Sequence, residues 1–264
     1  MNRLTSSLAI ACAGVVSTMV ANGAEPRPNL SKEKVLYEIG YSHLDTQWRW
    51  NYPQVIREFL PNTVHENAPL FEKYPDYIFN WSGANRYRMI KEYHPDDFEK
   101  VRQWVAEGRW FPCGNSWEES DVNVPSSESL IRQILFGHNF FKREFETESV
   151  EYMLPDCFGF PASLPSILSH CGLRGFSTQK LTWGSAVGIP FNVGVWQGPD
   201  GNSVIAALNA GDYTASVKEN LATNAYWSER LEENGKKSGL FTDYQYFGVG
   251  DRGGAPRPDS VKWL

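Results

Sequence analysis

Short apolar runs alternate along this chain with longer amphipathic stretches, and the alternation defines its elements. Runs at 35–42, 77–81, 110–114, 150–154, 175–180, 193–197, 203–208 and 245–249 are rich in β-branched and aromatic residues and predict strands. Between them, stripes at helical spacing predict helices at 53–67, 96–107, 126–145, 164–171 and 217–234. The third has a capping region at Ser126-Ser-Glu128, ahead of Leu130, Ile134 and Phe141 on one face. In the second, Phe98, Val101, Trp104 and Val105 share a face that Gly108 terminates. Repeated strand-then-helix order predicts an α/β fold with a largely parallel sheet, either a barrel or doubly wound.

The ends of the chain read differently. Arg3 precedes an apolar and small-residue stretch from Leu8 to Ala21, and Ala21-Asn-Gly-Ala24 offers small residues to a signal peptidase. Residues 1–24 are therefore expected to be a signal peptide and 25–34 a linker. The remainder, 35–264, forms the folded domain of a protein exported to the periplasm or extracellular space, with no membrane span after cleavage. The C-terminal segment from Pro256 stops as a helix begins, which suggests a longer protein. Removal of the signal leaves Cys113, Cys157 and Cys171, which predict buried thiols and at most one bridge. A net charge of −6 with no basic run argues against a nucleic-acid partner. Oligomeric state is not legible.

In folds of this kind, functional groups gather at the C-terminal ends of strands. Here His43 and Asp45 follow the first strand at positions i and i+2. An extended chain puts both on one face, so an imidazole and a carboxylate converge as they do around a metal such as zinc. Trp48 lies close by as a flat wall. Asp156 follows the fourth strand; alone it reads as a helix cap, but beside the pair it reads as a third ligand. The Gly-rich turn Gly248-Val-Gly-Asp251-Arg-Gly-Gly lacks the Lys and Ser/Thr of a phosphate loop and reads as presenting Asp251 over a cleft, with a plain surface turn as its competitor.

These segments resemble glycoside hydrolase family 38, the α-mannosidases, especially the bacterial-type branch. The resemblance is carried in order by Ser42-His-Leu-Asp-Thr-Gln-Trp48, Asn115-Ser-Trp-Glu-Glu-Ser-Asp-Val-Asn-Val-Pro-Ser126, Leu154-Pro-Asp-Cys-Phe-Gly159, Thr178-Gln-Lys-Leu-Thr-Trp183 and 248–256. It implies a distorted seven-stranded β/α barrel, truncated here, and one zinc ion. It also implies a retaining exo-α-mannosidase acting on terminal α-mannosyl residues of glycans. On that resemblance His43, Asp45 and Asp156 are metal ligands, and Asp156 is also the nucleophile. Asp251 is the acid/base, with Asp243 in reserve. Trp48 stacks beneath the sugar, Phe158 lines its pocket, and Asp121 or Glu118 meets its hydroxyls. A fourth ligand, a histidine, is expected beyond residue 264, since His65, His94, His138 and His170 fit surface or packing roles. Two other readings are a polysaccharide deacetylase, which would need a His-x-x-x-His pair that is absent here, and a catalytically silent carbohydrate-binding fragment.

Overall fold

The computed structural model describes residues 27–184 and 188–264; the expected signal peptide lies outside the described residues. Eight strands form at β1 (Val35–Ser42), β2 (Phe79–Ser82), β3 (Trp110–Cys113), β4 (Glu151–Met153), β5 (Gly175–Ser177), β6 (Val193–Gln197), β7 (Ser203–Ala207) and β8 (Thr242–Val249). The helices are α1 (Tyr52–Gln54), α2 (Leu60–Lys73), α3 (Ala84–Tyr93), α4 (Pro95–Ala106), α5 (Ser127–Phe145), α6 (Leu164–His170), α7 (Ala225–Ser238) and α8 (Pro258–Val261). All eight expected strands are present. A π-helical turn, Val55–Phe59, joins α1 to α2, just ahead of Pro61, which has no N–H for a regular ladder.

The strands divide into two sheets, in the orders β3-β2-β1-β8 and β4-β5-β7-β6. Every pairing is parallel except that of β6 with β7. The described residues show the α/β fold with mostly parallel strands but not the closed seven-stranded barrel of the resemblance: among them no ladder joins β3 to β4 or β7 to β8. One cause is local. Arg109 directs its carbonyl to Phe79 of β2, so by alternation Pro112 faces the open side of β3, where it has no N–H to donate. At the other opening, β8 is bordered by the segment after β7, through Tyr246 N–H to the Ala210 carbonyl and Gly248 N–H to that of Ala215. Tyr246 also spans the interior, its hydroxyl 2.8 Å from Ser177 Oγ of β5.

Two apolar cores match the two sheets. One gathers Tyr41, Phe79, Trp81, Trp110, Phe141 and Phe247, the other Leu130, Tyr152, Leu154, Leu164, Phe176 and Val204. Helix α4 packs on β3, α6 on β6 and β7, and α7 on β8 and β1. The α7 helix begins at Ala225 and not at 217, because the Asn224 side chain accepts the Trp227 N–H at 3.1 Å and sets the start. Helix α3 was not anticipated. Its sequence is largely polar, and it starts behind Gly83, so it offers neither a clear stripe nor a cap. Cys113, Cys157 and Cys171 form no disulfide.

Candidate active site

Each of the seven strands with a parallel neighbour ends at one polar cluster. Tyr41 and His43 come from β1, Ser82 from β2, Glu119 from beyond β3, Asp156 from beyond β4 and Lys180 from beyond β5. Tyr213 follows β7 and Asp251 follows β8. The two sheets therefore present their C-terminal ends to the same cleft.

Backbone pairing explains why His43 and Asp45 arrive together. Past β1 the chain stays extended against the β8 loop, with His43 N–H donating to the Val249 carbonyl and Asp45 N–H to that of Asp251, each at 3.0 Å. This contact also seats Asp251 beside Asp45. The approach depends on Gly248: a Cβ there would lie 1.8 Å from the Tyr41 carbonyl oxygen. On the opposite wall, α5 rests on the loop that carries Glu118 and Glu119. A Cβ on Gly137 would come within 2.4 Å of the Ser116 backbone, so only glycine permits that seat.

His43 Nε2 lies 3.4 Å from Asp45 Oδ1 and 3.3 Å from Asp156 Oδ2, and neither contact is aligned as a hydrogen bond. One nitrogen and two carboxylate oxygens from these residues lie within 4.8 Å of one another. A buried ring nitrogen with no aligned partner, facing two carboxylates, suits a borderline divalent ion. The expected ligand set is therefore assembled, and its chemistry fits a metal.

The two expected carboxylates of the reaction are bridged by a residue that no motif had marked. Tyr213 Oη is 3.4 Å from Asp156 Oδ2 and 3.2 Å from Asp251 Oδ1. Lys180, buried, forms an ion pair with the other oxygen of Asp156 and lies 3.4 Å from the ring centre of Trp183. Burial alone would raise the Asp156 pKa, but His43 and then Lys180 hold it below the ordinary carboxylate range. For His43 the balance is similar: burial opposes a charge, yet Glu119, Asp156 and Asp45 hold its pKa well above normal.

Other expected residues are placed less centrally. Trp48 is 56% exposed, edge-on to Trp50, with the Arg49 guanidinium 4.1 Å from its ring centre. Phe158 is 64% exposed, edge-on to Trp183, with Lys180 Nζ 4.7 Å from its ring centre. Each ring is thus largely exposed but has a cation over one face. Asp121 turns back to accept the N–H groups of Asn123 and Val124, both at 2.8 Å, and works as a turn former. Glu118 takes the Asn85 amide at 2.7 Å. Asp243, the reserve acid, sits at the start of β8, away from the C-terminal strand ends. It is held by Arg230 and Asn234 and is fully buried, which corrects that assignment to a structural one. His65, His94 and His170 bind Asp97, the Ile56 carbonyl and Asp200, consistent with surface and packing roles.

An α/β domain with a metal-capable triad beside a pair of bridged carboxylates has the makings of a glycosidase. The family comparison is specific: the model for the glycosyl hydrolases family 38 N-terminal domain matches residues 34–263, and the chain belongs to that family. It is 34% identical to alpha-mannosidase 2C1 of Homo sapiens and 32% identical to alpha-mannosidase G of Dictyostelium discoideum, over 85% and 89% of this chain. It spans 21% of the length of each of these relatives. An alpha-mannosidase structure from Enterococcus faecalis V583 shares the fold, with a TM-score of 0.66 at 20% identity, covering 88% of this chain and 26% of that one.

Proposed function

We propose that this chain is the catalytic N-terminal portion of a retaining, metal-assisted α-mannosidase, with its two sheets forming the halves of one distorted barrel. The observation that carries the reading is the convergence of His43, Asp45 and Asp156 on one point while Tyr213 ties Asp156 to Asp251. A mannose-containing glycan is the substrate this suggests, in line with the names of the relatives.

The two carboxyl groups divide the work. Asp156, kept ionised by Lys180, attacks the anomeric carbon while Asp251 gives its proton to the departing glycosidic oxygen. The resulting glycosyl ester on Asp156 is then cleaved: Asp251, now a base, takes a proton from water, and the oxygen displaces the carboxylate from the same face as the original bond. A contact through one tyrosine oxygen is compatible with the ~5–5.5 Å spacing of carboxyl groups in retaining enzymes. Trp48 and Phe158 supply apolar faces for the sugar ring. A zinc ion held by His43, Asp45 and Asp156 would contribute positive charge for gripping adjacent cis hydroxyls, a feature of mannose, and for steadying the Asp156 carboxylate.

The test is hydrolysis of an aryl α-mannoside followed by NMR of the first-formed sugar. Retention of the α-anomer, loss of turnover in chelator with recovery on zinc, and inactivity of Asp156→Asn are expected. First-formed β-mannose, or undiminished turnover in chelator, overturns the mechanism. Export belongs to the same proposal, and among the described residues no helix is long and apolar enough to cross a membrane. N-terminal sequencing of the secreted protein should begin near Glu25; retention of Met1 would refute cleavage.

A further inference from the structure

The mechanism above uses the Nε2 side of His43 and leaves the other ring nitrogen unexplained. Nδ1 lies 3.1 Å from Glu119 Oε2, an ion-pair contact that, like those of Nε2, is not aligned as a hydrogen bond, and among the described residues no other polar group meets either atom. The other oxygen of Glu119 is crowded. Oε1 meets Arg86 Nη1 at 3.1 Å together with the hydroxyls of Tyr41 and Ser82. Arg86 in turn donates through Nη2 to the carbonyl of Leu44, the residue between His43 and Asp45. Glu119 and Arg86 are both almost fully enclosed, with side chains 4% and 2% exposed. One guanidinium thus grips the carboxylate behind His43 and the backbone between two candidate ligands.

We infer that Glu119, clamped by Arg86, is a positioning residue that presets His43 for metal binding. With a metal ion on Nε2 the imidazole is neutral and carries a single N–H, and an ionised carboxylate can only accept. Glu119 therefore holds the ring proton on Nδ1 and turns the Nε2 lone pair toward Asp45 and Asp156. Its negative charge also makes Nε2 a better electron donor. Arg86 prevents Glu119 from rotating away, and through Leu44 it fixes the spacing of the two ligands. The inference rests on the reading that the triad holds a metal ion, and it adds the device that orients one ligand.

The zinc dissociation constant decides it, measured by competition with a chromophoric chelator for the wild-type protein and for Glu119→Gln, with thermal melts of both metal-free forms. The variant is expected to bind zinc roughly 10–100-fold more weakly. A purely structural role would lower the melting temperature and leave the zinc affinity of the folded variant unchanged, which overturns the inference while the metal reading stands. Wild-type protein that binds no zinc overturns the metal reading and the inference with it. Should Glu119→Gln fail to fold, long-range proton–nitrogen NMR of His43 in the zinc-loaded wild type replaces it. A protonated Nδ1 with metal on Nε2 supports the assignment, and the reverse tautomer overturns it.

Discussion

The Tyr213 hydroxyl lies 3.2 Å from Oδ1 of Asp251, and the same oxygen is 3.4 Å from Asp156. Burial, then the charges of Asp156 and Asp251, push this phenol far above its ordinary range, so it keeps its proton. One proton cannot serve two carboxylates at once, so under the proposed double displacement Tyr213 favours whichever carboxylate is charged at each stage. The Tyr213→Phe variant keeps the ring, which lies 4.8 Å from that of His43, and loses only the hydroxyl. A hydrogen bond to a charged group contributes about 1.5–3 kcal/mol, so kcat/KM on an aryl α-mannoside should fall roughly 10–100-fold. An unchanged kcat/KM would remove Tyr213 from the reaction.

Two aspartates lie at opposite ends of β8, Asp243 near its start and Asp251 in the loop beyond it, and they separate cleanly by experiment. Asp251→Asn should lower kcat by ~10²–10⁴-fold on a poor leaving group and far less on an activated phenol, because only the former needs a proton. Asp243→Asn should do the opposite. It leaves Arg230 enclosed without its charge partner, a loss of roughly 3–5 kcal/mol in stability, while the folded fraction keeps its kcat. Denaturation midpoints and leaving-group series on both variants check the pair. Leaving-group sensitivity in Asp243→Asn would exchange their roles.

What could be read beforehand, and what could not, divides along physical lines. His43 and Asp45 were legible because side-chain alternation is a local rule, and the pairing of this segment with the β8 loop preserves it. The strands were legible from their short apolar runs, rich in β-branched and aromatic residues. Sheet closure was not, since it depends on which edge Pro112 faces, a property of register and not of composition. Tyr213 sits in an irregular segment after β7 with no repeating pattern to mark it, and Glu119 was hidden by an adjacent acidic residue, Glu118. For Asp121 the sequence cannot separate a turn-forming carboxylate from a sugar-binding one; the fold shows its Oδ1 accepting the N–H groups of Asn123 and Val124. Lys180 lies within the segment 178–183, but its partner, 24 positions earlier, is met only across the folded cleft.

That ion pair gives a third prediction. Lys180 Nζ is shared between Asp156 Oδ1 and the ring faces of Trp183 and Phe158, at 3.4 Å and 4.7 Å from their centres. Lys180→Met keeps an apolar stem of similar length and removes the charge beside Asp156. Loss of one preorganised electrostatic partner costs on the order of 10²-fold, so kcat should drop by about that factor while KM changes little. A rise in KM with kcat preserved would instead assign Lys180 to substrate binding.

The last prediction concerns stability on the far face of β1. Glu38 points away from Tyr41 and His43 by strand alternation, and its register neighbour on β8 is Gln245. Both carboxyl oxygens of Glu38 and Oε1 of Gln245 are buried without a hydrogen-bond partner. Burial raises the Glu38 pKa to about 8, so the fold favours the neutral acid. An acid whose folded pKa exceeds its unfolded one stabilises fully at pH values below the unfolded pKa. That contribution declines as pH rises through the folded value, at most ~1.4 kcal/mol per unit, and then levels off. The melting temperature of the wild type should therefore fall between about pH 5 and pH 9. Glu38→Gln, uncharged throughout, should flatten that fall and be more stable by a few kcal/mol at the alkaline end. Thermal melts of both proteins across this range check it, and parallel curves would show that Glu38 carries no such penalty.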